Sequence, residues 1–222
     1  MLCTLYLALC ALYFVLLYFE LGALYFVLCT WRFAHRSLQS TKRKAQSTKY
    51  KVQSTKFKPP FLFAMIRIGI GNDTHRLVEG RSLVLGGVQI TSDRGAEGHS
   101  DADALSHAIA DAILGALCEG DLGVHFPDRD PQWSGADSLE LLSRVVWLAR
   151  ERSLHVVNVD ATILLETPKL RPYVIAMREN IASILGVELG CVSVKAKTGE
   201  GVDAVGHGLA VTAQAAVLME SN

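Results

Sequence analysis

"HSDADALSHAIADAILGAL", residues 99–117, reads as a helix with more ionisable groups than packing requires. Leu105, Ile109, Ile113 and Leu117 recur every four positions, the spacing of a core stripe. Asp103, His107 and Asp111 also recur every four, on a neighbouring stripe, and His99 stands just ahead of them. Two histidines and two carboxylates beside a buried face point to chemistry. The helix is expected over about Ala102 to Cys118, with Ser100 or Asp101 as N-cap and Gly120 ending it.

Working outward, residues 66–70 alternate as a strand that should end where Gly69, Gly71 and Asn72 turn the chain. "RSLVLGGVQI" (81–90) reads as a second strand broken at Gly86–Gly87, with a glycine-rich loop through Gly98. "GDLGVHFPDRDPQWSGADS" (120–138) must be a loop, and compact domains keep loops of that length for function. Helices are expected from Ser138 to about Arg152 and from Pro172 to Leu185. Further strands are "VVNVDATILLE" (156–166), "CVSVKAKT" (191–198) and "GLAVTAQAAVLME" (208–220). The order lacks regular βαβ repetition, which predicts an α+β fold, a mixed sheet with helices packed on one face.

The formal charge of zero conceals two dissimilar pieces. Nine Lys and Arg and one acid, Glu20, lie in residues 1–64; residues 65–222 carry 13 basic and 21 acidic side chains, a net charge of −8. So acidic a domain argues against nucleic acid as a partner and suits recruitment of metal cations. Cys118 and Cys191 have no metal-ribbon spacing and read as ordinary thiols of a reducing compartment, so a cytoplasmic location is expected. Residues 2–30 are apolar enough to span a bilayer, and from Gln39 a seven-residue unit follows three times as QSTKRKA, QSTKYKV and QSTKFKP. Heptads without apolar a/d spacing have no fold logic. The expectation is a translated tandem repeat ahead of a true start at Met65, with a catalytic domain over 65–222. A membrane anchor with its basic side in the cytoplasm is the alternative, and some other leader a third reading.

Chemistry gathers first at Asp73-Thr74-His75. In an extended strand residues two apart face one side, so a carboxylate and an imidazole share a volume. With His107 from the helix they make one oxygen and two nitrogen ligands, the set with which a catalytic zinc keeps its fourth position open. Asp103 and Asp111 flank His107, and either could accept its other ring N–H; a helix-favouring Asp and a solvated Asp are the plain readings. His99 and Ser100 precede a helix N-terminus, where an anion is favoured. In "KAKTGEG" (195–201), Lys197 and Thr198 are natural phosphate donors and Glu200 could hold Mg²⁺ or Mn²⁺, although an ordinary basic turn reads the same way. "LETPKLRP" (165–172) is a rigid, positively charged loop able to frame a ligand or merely to end a strand.

Together "IGIGNDTHRL", "GHSDADALSHAIADAILGAL", "GDLGVHFPDRDPQWSGADS", "ETPKLRP" and "VKAKTGEG" resemble the 2-C-methyl-D-erythritol 2,4-cyclodiphosphate synthases of the non-mevalonate isoprenoid pathway, from about Met65 to Glu220. The resemblance implies zinc or another divalent ion on Asp73, His75 and His107, and transition-state stabilisation by His99 and Thr198. It implies substrate contacts from Asp73, Thr74, His75, His99 and Ser100. Asp121, Leu122 and Gly123, with Phe126, Pro127, Asp128, Arg129 and Asp130, match the region that holds the methylerythritol phosphate. Leu165, Pro168, Lys169 and Arg171 match the cytidine segment; Lys197, Thr198, Gly199 and Glu200 match the diphosphate and second-metal site. A homotrimer with active sites between subunits is implied as well. The chain departs from the family in Lys197, where a threonine is common. It departs again in "GVDAVGHG", about two residues short and with His207 near the place of an arginine. That arginine lines the threefold cavity, so isoprenoid diphosphate binding there is not implied for this chain.

The implied reaction closes 4-diphosphocytidyl-2-C-methyl-D-erythritol 2-phosphate into a cyclic diphosphate with loss of CMP. A metal-dependent phosphodiesterase would use the same open metal position on water. A zinc-stabilised nucleotide-binding module would need a fourth protein ligand, for which no cysteine is placed.

Overall fold

The computed structural model describes residues 64–221 apart from 128 and 134. The segment before residue 64, on which the repeat and anchor expectations fall, lies outside the described residues, as does Asp128. Strand β1 runs unbroken from Ile66 to Glu79, straight through the glycines where a turn was expected. Those glycines serve a close approach. A Cβ on Gly69 would fall 1.7 Å from the Ala112 carbonyl oxygen, and one on Gly71 2.0 Å from that of Ala108. The strand is thereby pressed backbone to backbone against helix α1, Ala104–Leu117.

The interrupted second strand is a hairpin of its own, β2 (Leu83–Leu85) with β3 (Val88–Ile90). Gly86 and Gly87 form its two-residue turn with φ of +59° and +69°, a left-handed pair that only glycine adopts freely. Part of the loop that follows pairs after all: β4, Arg94–Ala96, lies antiparallel to Leu77–Glu79. Helix α1 begins later than expected, and its N-cap is Asp103, whose side chain accepts the Ser106 N–H; its end is Cys118 in left-handed geometry, ahead of Gly120. Alanines let neighbours close in on every side of α1, so only His107, Asp111 and Gly115 escape burial.

The long loop contains a short helix α2, Leu122–His125, and a single 3₁₀ turn, Pro131–Trp133. Helix α3 is Ser138–Glu151, β5 Leu154–Leu164, α4 Val174–Leu185 and β6 Val192–Lys197. A four-residue α5 (Asp203–Gly206) leads into β7, Ala210–Ser221. The main sheet has the order β4-β1-β7-β5-β6, antiparallel except where β6 runs parallel to β5 after the α4 crossover. It is a mixed sheet in an α+β fold, and α1 packs on β1 and β7. On the other side of β1 the alternation leaves Ile66, Ile68 and Ile70 exposed, at 64, 69 and 76 %. No described helix is long and apolar enough to cross a membrane.

Candidate active site

Alternation along β1 that turns Gly69 and Gly71 toward α1 turns Asp73 and His75 the same way. From α1, His107, the residue just before Ala108, meets them. His75 Nε2 lies 2.8 Å from Asp73 Oδ2, and His107 Nδ1 lies 3.0 Å from the same oxygen. The two ring nitrogens are 3.4 Å apart. Ligands of a tetrahedral zinc sit roughly 3.3 Å from one another, so the three atoms match a common ion in spacing as well as in kind.

The opposite ring nitrogens are tied to protein. His75 Nδ1 is 2.8 Å from the Glu97 carbonyl oxygen, which can only accept, so Nδ1 carries a proton and, in the neutral ring, Nε2 offers its lone pair inward to a metal. His107 Nε2 is 2.8 Å from Ser138 Oγ and 3.3 Å from Ser100 Oγ. Neither flanking aspartate takes that role. Asp103 is fully buried and turns away, accepting from Ser106 N, Ser106 Oγ and Gly87 N. Burial outweighs these bonds and pushes its carboxyl up. Asp111 accepts the Leu122 N–H at 2.8 Å and so fastens α2 to α1; burial raises its pKa too.

Metal-free, the centre is strongly polarised. Burial pushes the Asp73 carboxyl up, but hydrogen bonds from His107 and His75 override it and hold the group well below the usual carboxylate range. Burial likewise pushes His75 down, and the Asp73 carboxylate more than reverses it, leaving His75 above 6.5.

These groups sit in the wall of a cavity of about 400 Å³ that His99, Ser100, Asp121, Leu122, Gly123 and Phe126 also line. The helix-terminus argument for His99 and Ser100 does not hold, since the Asp103 carboxylate caps α1 and both residues reach the cavity from the preceding loop. Trp133 and Leu141, which sequence reasoning passed over, complete an apolar wall; Trp133 packs edge-on to Phe126 at 5.0 Å with Arg144 over its other side. Aromatics at irregular loop spacing carry no periodic signal, which is why they went unread.

The remaining expected residues lie off this cavity. Thr74 points to the opposite sheet face and bonds Thr212. Pro127, Arg129 and Asp130 belong to the loop but not to the cavity lining; Asp130 folds onto Gln132. Leu165 is buried in the core, so only its backbone is available to a ligand. Pro168 lines a second cavity of about 430 Å³ with Arg94 and His207, while Lys169 and Arg171 line neither. Lys197 ends β6, and Thr198, Gly199 and Glu200 form the turn after it. There Thr198 Oγ1 donates to Glu200 at 2.6 Å, and Gly199 N donates to Glu166 at 3.0 Å. With Leu165 N bonded to the Lys197 carbonyl, the two loops form one unit.

The YgbB family model matches residues 66–220. The chain is 58 % identical over 156 residues to the 2-C-methyl-D-erythritol 2,4-cyclodiphosphate synthase of Salinibacter ruber, covering 70 % of this chain and 99 % of that one. It is 55 % identical over 152 residues to the enzyme of the same name from Symbiobacterium thermophilum, covering 68 % and 97 %. Among solved structures it resembles a 2C-methyl-D-erythritol-2,4-cyclodiphosphate synthase in a CDP-bound form. There the TM-score is 0.65 at 38 % identity, over 69 % of this chain and 99 % of that one.

Proposed function

The chain belongs to the YgbB family, and we propose that Asp73, His75 and His107 hold zinc while Glu200 holds Mg²⁺ or Mn²⁺ during closure of a cyclic diphosphate. The enzyme converts 4-diphosphocytidyl-2-C-methyl-D-erythritol 2-phosphate into 2-C-methyl-D-erythritol 2,4-cyclodiphosphate, a step of isoprenoid precursor synthesis. The 2-phosphate oxygen bonds to the β-phosphorus, the bond from that phosphorus to the bridging oxygen breaks, and CMP leaves. The observation that carries this reading is the convergence of Asp73 Oδ2, His75 Nε2 and His107 Nδ1 on the wall of a cavity large enough for the substrate's sugar-phosphate half.

Nucleophile and leaving group are both phosphates, so the chain has little proton transfer to perform. Its task is to fold a polyanion onto itself and offset charge as it develops. When bound, the metal ions supply Lewis-acid polarisation and neutralisation of phosphate oxygens. His99 and Ser100 donate to the phosphates from the loop before α1, and Asp121 to Gly123 with Phe126 hold the methylerythritol phosphate. The flanking loop residues Pro127, Arg129 and Asp130 close over it. The Leu165 to Arg171 loop takes the cytidine, and Lys197 with Thr198 takes the diphosphate, the lysine contributing charge where a second hydroxyl is common.

The enzyme works as a homotrimer. Ile66, Ile68 and Ile70 form an apolar row on the uncovered sheet face, and the Lys197–Glu200 turn lies outside the metal-side cavity of its own chain. A site shared between two copies accounts for both facts. Residues 65–222 form the catalytic domain, and the free thiols Cys118 and Cys191 suit a cytoplasmic, reducing location.

Incubation of the protein with the CDP-linked substrate and Mg²⁺, followed by ³¹P NMR, tests the reaction. Ring diphosphate and CMP are expected; an open-chain phosphate product would make the enzyme a phosphodiesterase instead.

A further inference from the structure

We propose that Asp101 and Ser138 form a hydrogen-bonded relay that orients the metal ligand His107; the inference rests on the reading that Asp73, His75 and His107 hold a metal. Ser138 is a serine at 1 % exposure whose hydroxyl has no capping duty. Helix α3, which it begins, is capped by Asp137, whose side chain accepts the Leu139 N–H at 2.8 Å. The hydroxyl instead lies between His107 Nε2, at 2.8 Å, and the Asp101 carboxylate, which it touches directly.

The polarity of this chain of bonds follows from its ends. A carboxylate oxygen accepts, so Ser138 O–H donates to Asp101 and its oxygen is left to accept from His107 Nε2–H. With an ion bound and the ring neutral, Nε2 therefore carries the proton, and the Nδ1 lone pair is left for the ion beside Asp73 Oδ2. A carboxylate acting through a hydroxyl performs the service that a directly bonded carboxylate performs for many ligating histidines. Ser100 Oγ stands second to this contact, at 3.3 Å from Nε2, and already accepts the Ala102 N–H.

Asp101 is itself held in place. It accepts from Ser138 N and Asp103 N at 3.3 Å each, and its own N–H bonds the Ala136 carbonyl. Gly135 N bonds the His99 carbonyl beside it, so the loop before α1 and the loop before α3 are joined on both sides of the relay. Asp101 and Ser138 are positioning residues: neither ligates the ion, and both act through His107.

The test is zinc affinity of the full chain, measured by competition with a chromophoric chelator, beside the thermal midpoint of the metal-free protein. Ser138→Ala should weaken zinc binding roughly tenfold to a hundredfold while the metal-free midpoint stays near wild type. Asp101→Ala should weaken it similarly, and the double variant should bind little worse than either single one, as for groups acting in series. Zinc affinity of Ser138→Ala within twofold of wild type overturns the relay. If Ser138→Ala does not fold, Asp101→Ala, which leaves helix α3 intact, carries the same decision. A wild-type chain that binds no zinc overturns the metal reading itself, and the relay with it.

Discussion

Gly71 and Ala108 are so close that a Cβ on the glycine would fall 2.0 Å from the Ala108 carbonyl oxygen. Nothing but hydrogen fits between strand and helix at this level. Two residues further along β1 stands Asp73, and one residue before Ala108 stands His107, 3.0 Å from its carboxylate. The ligand geometry is thus set by an approach that a single methyl group would prevent.

Gly71→Ala is therefore expected to damage stability and site together. Inserting one carbon into a packed contact costs about 1–3 kcal/mol where neighbours can adjust, and here the neighbour is helix backbone. A loss of at least that size should appear in chemical denaturation, with weaker zinc binding at temperatures where the variant is still folded. Wild-type stability would mean that β1 and α1 can separate without penalty.

His107→Ala removes a ligand from a largely buried helix position, its side chain 15 % exposed, beside the Leu105 and Ile109 stripe and not within it. Zinc binding and turnover should both be lost while the circular dichroism spectrum is kept. One zinc per chain in the purified variant would refute the assignment.

The pH dependence has opposite signs with and without metal. In the metal-free protein His75 lies above its ordinary 6.5, so its contribution to stability is complete below the unfolded value and disappears as pH rises through the folded one. Zinc needs the imidazole neutral, so protons compete with it over that same window. The increase in melting temperature caused by zinc should accordingly be smaller at about pH 6 than at about pH 8. An increase independent of pH would exclude His75 from the ligand set.

Glu200→Gln should lower Mg²⁺-dependent turnover and leave zinc content unchanged, because Glu200 belongs to the turn after β6 and the zinc ligands to β1 and α1. Turnover and Mg²⁺ response equal to wild type would reduce Glu200 to a turn residue that receives the Thr198 hydroxyl.

Ile68→Asp places a charge on the exposed apolar row of β1, at a side chain that makes no part of the buried core. If three copies pack through this face, the variant should sediment as a smaller species and lose activity while retaining zinc. A variant that sediments like wild type would remove this face from the interface.

Sequence alone determined the class of the fold, the three metal-directed side chains and the helix that carries one of them. Those features are local: a period of four for the helix, a period of two for Asp73 and His75, and residue chemistry for the ligand set. Tertiary structure decided what the glycines of β1 are for. Gly69 and Gly71 look like a turn along the chain and prove to be contact points only when α1 lies across them. It also decided the partners of His107. Asp103 and Asp111 share its side of an isolated helix, but core burial takes Asp103 into a cap and α2 takes Asp111. The contact falls to Ser138, 31 positions away, which no helical spacing could have singled out. Local periodicity specifies which way a side chain points from its own element; which atom it meets depends on another element's backbone.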